Sequence, residues 1–339
     1  MLVPARNEAE QIGFCVAALA ALDYPVGLRE FLVLDDFSED DTAARALAAR
    51  VPGLRVLRMS EHLPGGPGAA PKKQALGIGA ALARGTLLVT TDADCRFGPG
   101  WLREIAWLHE SRQAQLVAGP VAMEGPRTTL SVFQQLDFLS LQGITAAAAG
   151  LGLHSMGNGS NLAYTKAAFE AVSGFAGVDQ LASGDDMLLM NKINAVFPNS
   201  QAYAKTSNAI VYTQVENSWR AFFRQRIRWA SKARFYREKK ILAVLALVYI
   251  TNLVLLLAIL GGLVALFLGK SLPLLAAGVL ILLKTALEWP FMRSVARFYG
   301  KTSLLRWFLP CQPLHILYTV VAGSFSQWGS YQWKGRKLH

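Results

Sequence analysis

Charged residues are scarce in this sequence. Only 17% of the 339 residues are charged, whereas 53% are hydrophobic, and a soluble domain of ordinary composition has more charge and fewer apolar residues. The shortage is uneven, because residues 1–235 alternate short apolar runs with polar connections, while 241–325 consists mainly of long apolar stretches. The composition excludes a chain that is soluble throughout. It predicts a soluble domain over 1–235, followed by a membrane domain over 241–339.

Cysteine is also rare, and Cys15, Cys95 and Cys311 show neither paired nor metal-type spacing. This excludes a disulfide framework and fits a domain that faces the cytosol. The sequence does not open with the pattern of a secretory signal peptide. It opens with Met1–Pro4, which we interpret as the end of a truncated first strand, so we expect the natural chain to begin earlier.

Acidic residues are outnumbered by lysine and arginine, 23 against 34, which gives a formal net charge of +11. Much of the excess lies in an interfacial stretch over 218–240, at Arg220, Arg224, Arg226, Arg228, Lys232, Arg234, Arg237, Lys239 and Lys240. Basic residues beside a membrane helix favour the cytoplasmic side and attract anionic headgroups. No nucleic-acid-binding module accompanies the charge. We therefore predict an integral protein of the cytoplasmic (inner) membrane with a cytoplasmic catalytic domain, and no nucleic-acid partner.

Two apolar segments are long enough to cross a bilayer, 241–268 and 272–289. A third segment, 304–325, contains Arg306, Pro310, Pro313 and His315. Three crossings would leave the basic tail 334–337 outside, against the positive-inside tendency. We therefore predict two spans and leave the third segment open, as a span or as a re-entrant or interfacial element.

The soluble part alternates between strand and helix patterns. Short apolar runs predict strands at 2–3, 31–34, 54–57 and 87–91, and helical spacing predicts helices over 8–22, 41–50 and 72–83. This rhythm predicts an α/β fold with a mostly parallel sheet covered by helices. Ligands bind beyond the carboxyl ends of the strands in such sheets, and acidic residues follow two of these strands.

Asp92 and Asp94 follow the strand at 87–91, and two carboxylates at this spacing can bind a hard divalent cation together with phosphate oxygens. A turn or cap role explains an isolated Asp-x-Asp equally well. Asp35 and Asp36 end another strand, and in the following segment Ser38, Asp40 or Asp41 can cap a helix. Capping leaves Asp35 and Asp36 to face a ligand.

Two later segments also carry chemistry. Asp185 and Asp186 are placed to cap a helix start, or to supply a general base for an attacking hydroxyl. Gln225 and Trp229 lie on a basic amphipathic stretch, and attraction to the membrane surface does not explain them. The loop 63–71, rich in glycine and proline, fits either a cover for a ligand or an ordinary surface loop.

Taken in order, these segments resemble glycosyltransferase family 2, in its membrane-embedded branch with a GT-A fold, which includes cellulose, hyaluronan and glycolipid synthases. The motifs that carry the resemblance are VPARNE, LDDFSEDDT, Lys72, TDADC, GNGSNLAY, SGDDM and QRIRW, over residues 1–232. Three positions depart from the family pattern. Phe37 stands where a glycine is usual, Asp185 replaces a glutamate, and Pro71 replaces a glycine.

The resemblance implies a role for each matching residue. The donor nucleotide and its diphosphate would be bound by Pro4, Ala5, Glu8, Asp35, Asp36, Lys72 and Asp92. The metal, Mg²⁺ or Mn²⁺, would be held by Asp92 and Asp94. The acceptor and pyrophosphate would be contacted by Asn158, Gly159, Ser160, Asp185, Gln225, Arg228 and Trp229. Asp186 would be the catalytic base.

The implied activity is inverting transfer of a sugar from a nucleotide-sugar, expected to be a UDP-sugar, to a membrane-associated acceptor by metal-assisted direct displacement. Two or three helices make a poor tunnel, which favours a lipid acceptor over the alternative of a processive polysaccharide synthase with a glycan acceptor. A nucleotidyltransferase would need neither QxxRW nor a late acidic base. A catalytically dead membrane assembly subunit would be expected to have lost one of the acids. The sequence does not indicate an oligomeric state.

Overall fold

A computed structural model describes residues 1–152, 156–181, 184–231, 239–325, 331–333 and 336–338. The chain divides into two compact units. The sheet unit consists of Met1–Glu124, Ile144–Gln214 and Gln332–His339, and the helical unit consists of Gly125–Gly143 and Val215–Tyr331. These units are a different division from the soluble and membrane domains of the sequence analysis, whose limits stay a prediction.

The two larger sheets of the sheet unit contain ten strands: β1 (Leu2–Ala5), β2 (Phe31–Asp35), β3 (Leu54–Arg58), β4 (Leu87–Thr90), β5 (Arg96–Phe97), β6 (Leu116–Ala118), β7 (Val121–Glu124), β8 (Leu162–Thr165), β9 (Gln201–Tyr203) and β10 (Val211–Gln214). Its helices are α1 (Ile12–Ala20), α2 (Thr42–Ala48), α3 (Met59–His62), α4 (Pro71–Leu82), α5 (Trp101–Arg112), the end of α6 (Thr129–Gly150), α7 (Lys166–Ala171) and α8 (Met187–Val196).

The main sheet has seven strands in the order β3-β2-β1-β4-β8-β6-β9. Strands β3, β2, β1 and β4 run parallel to one another, whereas β8 is antiparallel to both β4 and β6. A smaller sheet has the order β5-β10-β7. The predicted α/β fold with a mostly parallel sheet is therefore confirmed, and β8 makes the sheet mixed.

The predicted elements are present with small changes in their bounds: β1, β2 and β3 end later than predicted, whereas α1 and α2 are shorter. Helix α1 begins at Ile12 rather than at residue 8, because the carbonyl of Glu8 accepts the amides of both Gln11 and Ile12 in a preceding turn. Helix α4 begins with Pro71, whose missing N–H costs nothing in the first helical turn. The proline that departs from the family pattern thus starts the helix that carries Lys72.

Asn161 is a fully buried polar hub of the sheet unit. Its side-chain oxygen accepts a hydrogen bond from Trp101 Nε1 at 2.9 Å, and its Nδ2 donates to the carbonyls of Pro120 and Ala209, each at 2.8 Å. A Cβ on Gly119 would lie 2.4 Å from Asn161 Nδ2, so a larger residue at position 119 would clash with the Asn161 side chain. These bonds fix the chain directly after the 158–160 turn.

The helical unit contains the first part of α6 together with α9 (Trp219–Ala230), α10 (Lys239–Phe267), α11 (Leu272–Phe298) and α12 (Gln312–Phe325). A short hairpin, β11 (Tyr331–Trp333) and β12 (Arg336–Leu338), follows. Part of the predicted basic stretch, 232–238, lies outside the described residues. In α6 and α9 the apolar side chains Phe133 and Phe222 form a cluster with Tyr318 of α12.

Two helices in the described part of the chain are long and apolar enough to span a membrane, Leu242–Phe267 with 26 residues and Leu272–Phe298 with 27. Most of their large apolar side chains are exposed, as a membrane-facing helix requires. The third predicted segment forms a short 3₁₀ helix, Thr302–Trp307, and then α12. Among the described residues, two helices therefore have the length and composition that a membrane span needs.

We predict that Asn161→Ala lowers the free energy of unfolding by at least about 2 kcal/mol, because it leaves the Trp101 N–H and two buried carbonyls without their partner. Chemical denaturation in detergent measures the change. The exposed Asn208 is the control, and its replacement by alanine should change the free energy by less than about 0.5 kcal/mol. Equal effects of the two substitutions would contradict the role of the hub.

Candidate active site

Two acidic residues lie just beyond the carboxyl end of β4. The chain turns there, with the amide of Cys95 donating to the carbonyl of Asp92 at 3.1 Å. Asp94 Oδ2 accepts a hydrogen bond from Thr213 Oγ1 on β10 at 3.1 Å. Asp92 and Asp94 are half-buried, and their carboxylates lie with the Cys95 thiol in a group whose possible ligand atoms are all within 4.8 Å of one another.

The two carboxylates in this group are suitable ligands for a hard divalent cation. Carboxylate oxygens are the ligands that Mg²⁺ and Mn²⁺ prefer. Burial, followed by the charges of Asp94 and Asp92, raises the pKa of the Cys95 thiol well above its ordinary value, and a thiol is a soft ligand that hard cations such as Mg²⁺ and Mn²⁺ do not favour. Asp92 and Asp94 are therefore the residues that can hold a metal at the end of β4.

Lys72 joins two acids that are far apart in the sequence. Its Nζ lies 2.8 Å from Asp92 Oδ1 and 3.0 Å from Asp185 Oδ2. The side chains of Lys72 and Asp185 are 22% and 14% exposed. Burial lowers the pKa of the Lys72 ammonium, but the nearby charges of Asp185 and Asp92 outweigh it and raise the pKa above its ordinary value. Lys72 is therefore a permanent cation between two carboxylates.

The two acids at the start of α8 have different surroundings. Asp186 is buried and caps the helix, because its Oδ1 accepts a hydrogen bond from the amide of Met187 at 2.7 Å. Asp185 pairs with Lys72 instead. The capping alternative of the sequence analysis thus describes Asp186 correctly, and one oxygen of its carboxylate is fixed by the helix start. Its role as the base stays a prediction.

The 158–160 turn lies against the Lys72–Asp185 pair. Asn158 Oδ1 accepts hydrogen bonds from the amide and the hydroxyl of Ser160, at 3.2 and 2.9 Å. A Cβ on Gly159 would lie 2.9 Å from Asp185 Oδ2 and 3.6 Å from Lys72 Nζ, so only glycine leaves the pair undisturbed. The structure thus brings the predicted residues of the TDADC, GNGSNLAY and SGDDM motifs to one place, together with Lys72.

The predicted nucleotide residues lie at the carboxyl ends of β1 and β2. Asp35 and Asp36 are buried, 7% and 3% exposed, although the sequence analysis expected them to face a ligand. The amide of Asp36 donates to the carbonyl of Ala5 at 2.8 Å, and Asp35 Oδ1 accepts the amide of Ser38 at 3.3 Å. Pro4 and Ala5 belong to β1, and Glu8 follows it, with its amide donating to Thr42 Oγ1 at 2.7 Å.

Phe37 occupies the turn after β2, where the family pattern has a glycine. Its φ is +54°, in the left-handed region that favours glycine, the residue usual at this position of the motif. Its side chain packs against the buried core, which offsets the strain. Of the three expected caps for α2, Asp40 makes the bond, because its Oδ1 accepts the amide of Thr42 at 3.0 Å.

The QRIRW segment lies on α9 in the helical unit, where it surrounds an arginine that the sequence analysis did not single out. Arg226 Nη2 lies 2.8 Å from Asp137 Oδ2, and both side chains are almost fully buried. The Arg226 guanidinium donates to Gln225 Oε1 at 3.1 Å and lies 4.2 Å from the centre of the Trp229 ring. Gln225 and Trp229 therefore bind Arg226 within the protein.

A signal for this ion pair was present in the sequence, because Asp137 is the only charged residue of α6. A single charge in a helix that is otherwise apolar or neutral needs a partner. Arg228 is the remaining predicted residue of the segment, and it lies in the last turn of α9.

Comparison with known proteins establishes the family. The family model described as Glycosyl transferase family 21 matches residues 17–339, so the chain belongs to this family and is a glycosyltransferase. The resemblance inferred from the motifs is confirmed in its GT-A-like fold and in its activity class, and the family whose model matches is family 21.

Individual relatives match over shorter stretches. A glucosyl-3-phosphoglycerate synthase of Mycolicibacterium paratuberculosis is 35% identical over 94 residues, 28% of this chain and 27% of that protein. A beta-monoglucosyldiacylglycerol synthase of Synechocystis is 34% identical over 107 residues, 31% of this chain and 21% of that protein. The chain thus matches less than a third of the length of either relative.

A solved structure extends the likeness of the fold. The mannosyltransferase PcManGT of Pyrobaculum calidifontis, in complex with GDP-Man and Mn²⁺, is 19% identical to this chain. The alignment covers 96% of this chain and 86% of that one, with a TM-score of 0.55. This likeness supports the GT-A-like fold.

We predict that Asp137→Leu and Arg226→Met each destabilise the protein by roughly 3–5 kcal/mol, because each leaves a charged group buried without its partner. The double variant Asp137→Leu with Arg226→Met removes both charges and should be less destabilised than either single variant. Chemical denaturation in detergent measures all three. Additive losses in the double variant would contradict a coupled pair.

Proposed function

We propose that this glycosyltransferase moves a sugar, with inversion, from a nucleotide-sugar to a lipid acceptor at the cytoplasmic face of the membrane. The observation that carries the proposal is the ammonium of Lys72 between Asp92 and Asp185, at 2.8 and 3.0 Å. The contact brings Lys72, Asp92 and Asp185 together at one edge of the sheet, which supports their proposed roles as phosphate-binding cation, metal ligand and neighbour of the base.

The donor is proposed to bind through its diphosphate. Lys72 supplies a positive charge for the phosphate oxygens, and Asp94 and Asp92 would hold Mg²⁺ or Mn²⁺. When bound, the divalent cation supplies charge neutralisation for the departing nucleoside diphosphate. The solved mannosyltransferase contains GDP-Man and Mn²⁺, which supports a nucleotide-sugar and a divalent metal here, while uridine as the base rests on the resemblance.

The nucleotide pocket is proposed to be lined by five residues: Pro4, Ala5, Glu8, Asp35 and Asp36. They all lie at or just beyond the carboxyl ends of the parallel strands β1 and β2, where ligands of such sheets bind. Because both aspartates are buried and Asp35 Oδ1 accepts the amide of Ser38, we assign them chiefly to shaping the turn that faces the base.

Asp186 is the proposed base. The acceptor hydroxyl oxygen forms a bond to the anomeric carbon while the bond from that carbon to the diphosphate oxygen breaks, and the bonding electrons leave with the nucleoside diphosphate. The proton of the hydroxyl passes to the Asp186 carboxylate. The amide of Met187 and the positive end of α8 stabilise this carboxylate and orient it. Displacement from the opposite side inverts the anomeric configuration.

The acceptor is proposed to be a lipid, because two helices have the length and composition of membrane spans. The relative from Synechocystis is named a beta-monoglucosyldiacylglycerol synthase, which supports a lipid, whereas the glucosyl-3-phosphoglycerate synthase is named for a small polar acceptor. The predicted contacts of the acceptor and pyrophosphate stay predictions: Asn158, Gly159, Ser160, Asp185, Gln225, Arg228 and Trp229. The basic residues before α10 support a cytoplasmic orientation. A processive polysaccharide synthase remains the second candidate.

We predict that Asp186→Asn lowers turnover by about 10²–10⁴-fold, because the amide cannot take the proton, while nucleotide binding is preserved. Release of nucleoside diphosphate from a panel of nucleotide-sugars, with membrane lipids as acceptors, measures turnover. Asp41→Asn is the matched control, since Asp41 is an exposed acid at the start of α2 that makes no cap bond. Near-normal turnover by Asp186→Asn would reject the assignment of the base.

We predict that Asp94→Ala lowers activity by about 10²-fold or more, since the metal contributes several kcal/mol to the transition state. The residual activity should no longer rise when Mn²⁺ is added. Activity measured against Mn²⁺ concentration tests both parts. An unchanged Mn²⁺ dependence in the variant would show that Asp94 is not a ligand.

A further inference from the structure

Lys72 occupies a position that a metal ion would also need. Its ammonium lies 2.8 Å from Asp92 Oδ1, and Asp92 is one of the two carboxylates that can hold a divalent cation at the end of β4. The same acid therefore serves as counter-ion for a lysine and as a metal ligand.

Charge makes these two uses compete. A divalent cation on Asp92 and Asp94 would be close to the Lys72 ammonium, because both cations would contact the Asp92 carboxylate. Two positive charges that share one carboxylate repel each other strongly in a partly buried site. In the free protein the Lys72 ammonium is held against Asp92 at 2.8 Å and against Asp185 at 3.0 Å, on the side of Asp92 that a metal would approach closely. The ammonium must therefore move before the metal is bound tightly.

We propose that Lys72 is the resident cation of the acidic site in the free protein, and that tight metal binding there requires a diphosphate to draw Lys72 away from Asp92. The inference rests on the proposed function, because the diphosphate is that of the nucleotide-sugar donor. A diphosphate places negative oxygens between the ammonium and the metal, so that the two cations no longer share Asp92. Lys72 thereby makes metal binding depend on the donor.

The geometry sets where Lys72 can move. Gly159 backs the pair, with its hypothetical Cβ 3.6 Å from Lys72 Nζ, so the turn at 158–160 blocks one side. Lys72 lies in the first turn of α4, and its flexible four-carbon side chain can carry the ammonium to a new partner without any change in the helix.

The test uses the full chain in detergent, with Mn²⁺ alone as the probe. We predict that Lys72→Met binds Mn²⁺ more tightly than the wild type, by roughly 5–150-fold, the usual range of coupling between two sites. The loss of free Mn²⁺ signal in electron paramagnetic resonance measures the affinity. Lys72→Arg, which keeps the charge, and Lys205→Met, which removes one exposed charge elsewhere, should stay near the wild-type value.

If Lys72 only binds phosphate, Lys72→Met leaves the affinity for Mn²⁺ alone unchanged, and if Lys72 only orders the acids, the affinity falls. Either result overturns the inference, as does an equal gain in Lys205→Met. This arm needs no nucleotide and no transfer, so it decides the inference even if the proposed activity proves wrong.

The second arm measures the binding of UDP and of GDP with and without Mn²⁺. We predict that Mn²⁺ strengthens nucleotide binding more in the wild type than in Lys72→Met, and that the variant binds the nucleotide less tightly when Mn²⁺ saturates. Equal strengthening in both proteins overturns the role given to the diphosphate. Failure of the wild type to bind either nucleotide contradicts the proposed function itself. The first arm does not depend on that outcome, because it measures Mn²⁺ binding without nucleotide.

Discussion

The contact on which the candidate site depends is the ammonium of Lys72 between Asp92 and Asp185. It ties together the start of α4, the end of β4 and the start of α8, which are separated by long stretches of chain. A partly buried ion pair offsets the cost of desolvation only when its geometry is good and its remaining polar atoms are hydrogen-bonded. Here the glycine at position 159 lets the backbone come close enough to complete it.

The same constraint, that a buried charge needs a partner, shapes the helical unit. Asp137 and Arg226 bury a carboxylate and a guanidinium together, and two rings, Phe222 and Trp229, cover the guanidinium. The tryptophan and glutamine of QRIRW are therefore part of the packing of α9. Their predicted contact with acceptor or pyrophosphate would be an additional role, through atoms that Arg226 does not use.

The sequence predicted the fold and the place of the acids because both follow from local rules. Apolar runs that end in Asp92 or Asp36 mark the carboxyl ends of parallel strands, and such ends meet at one edge of the sheet. It could not predict that Asp35 and Asp36 would be buried while Asp185 would pair with Lys72, since these outcomes depend on which distant groups meet. The sequence also could not predict the left-handed φ of Phe37, because that conformation depends on packing of its side chain against the core.

A structure of the full chain with Mn²⁺ and a nucleoside diphosphate, recorded at a wavelength where manganese scatters anomalously, tests the account most directly. The account predicts an anomalous peak at the carboxylates of Asp92 and Asp94, and Lys72 Nζ within hydrogen-bonding distance of a diphosphate oxygen. A peak elsewhere, or a Lys72 ammonium that stays between Asp92 and Asp185 with the diphosphate bound, would contradict it.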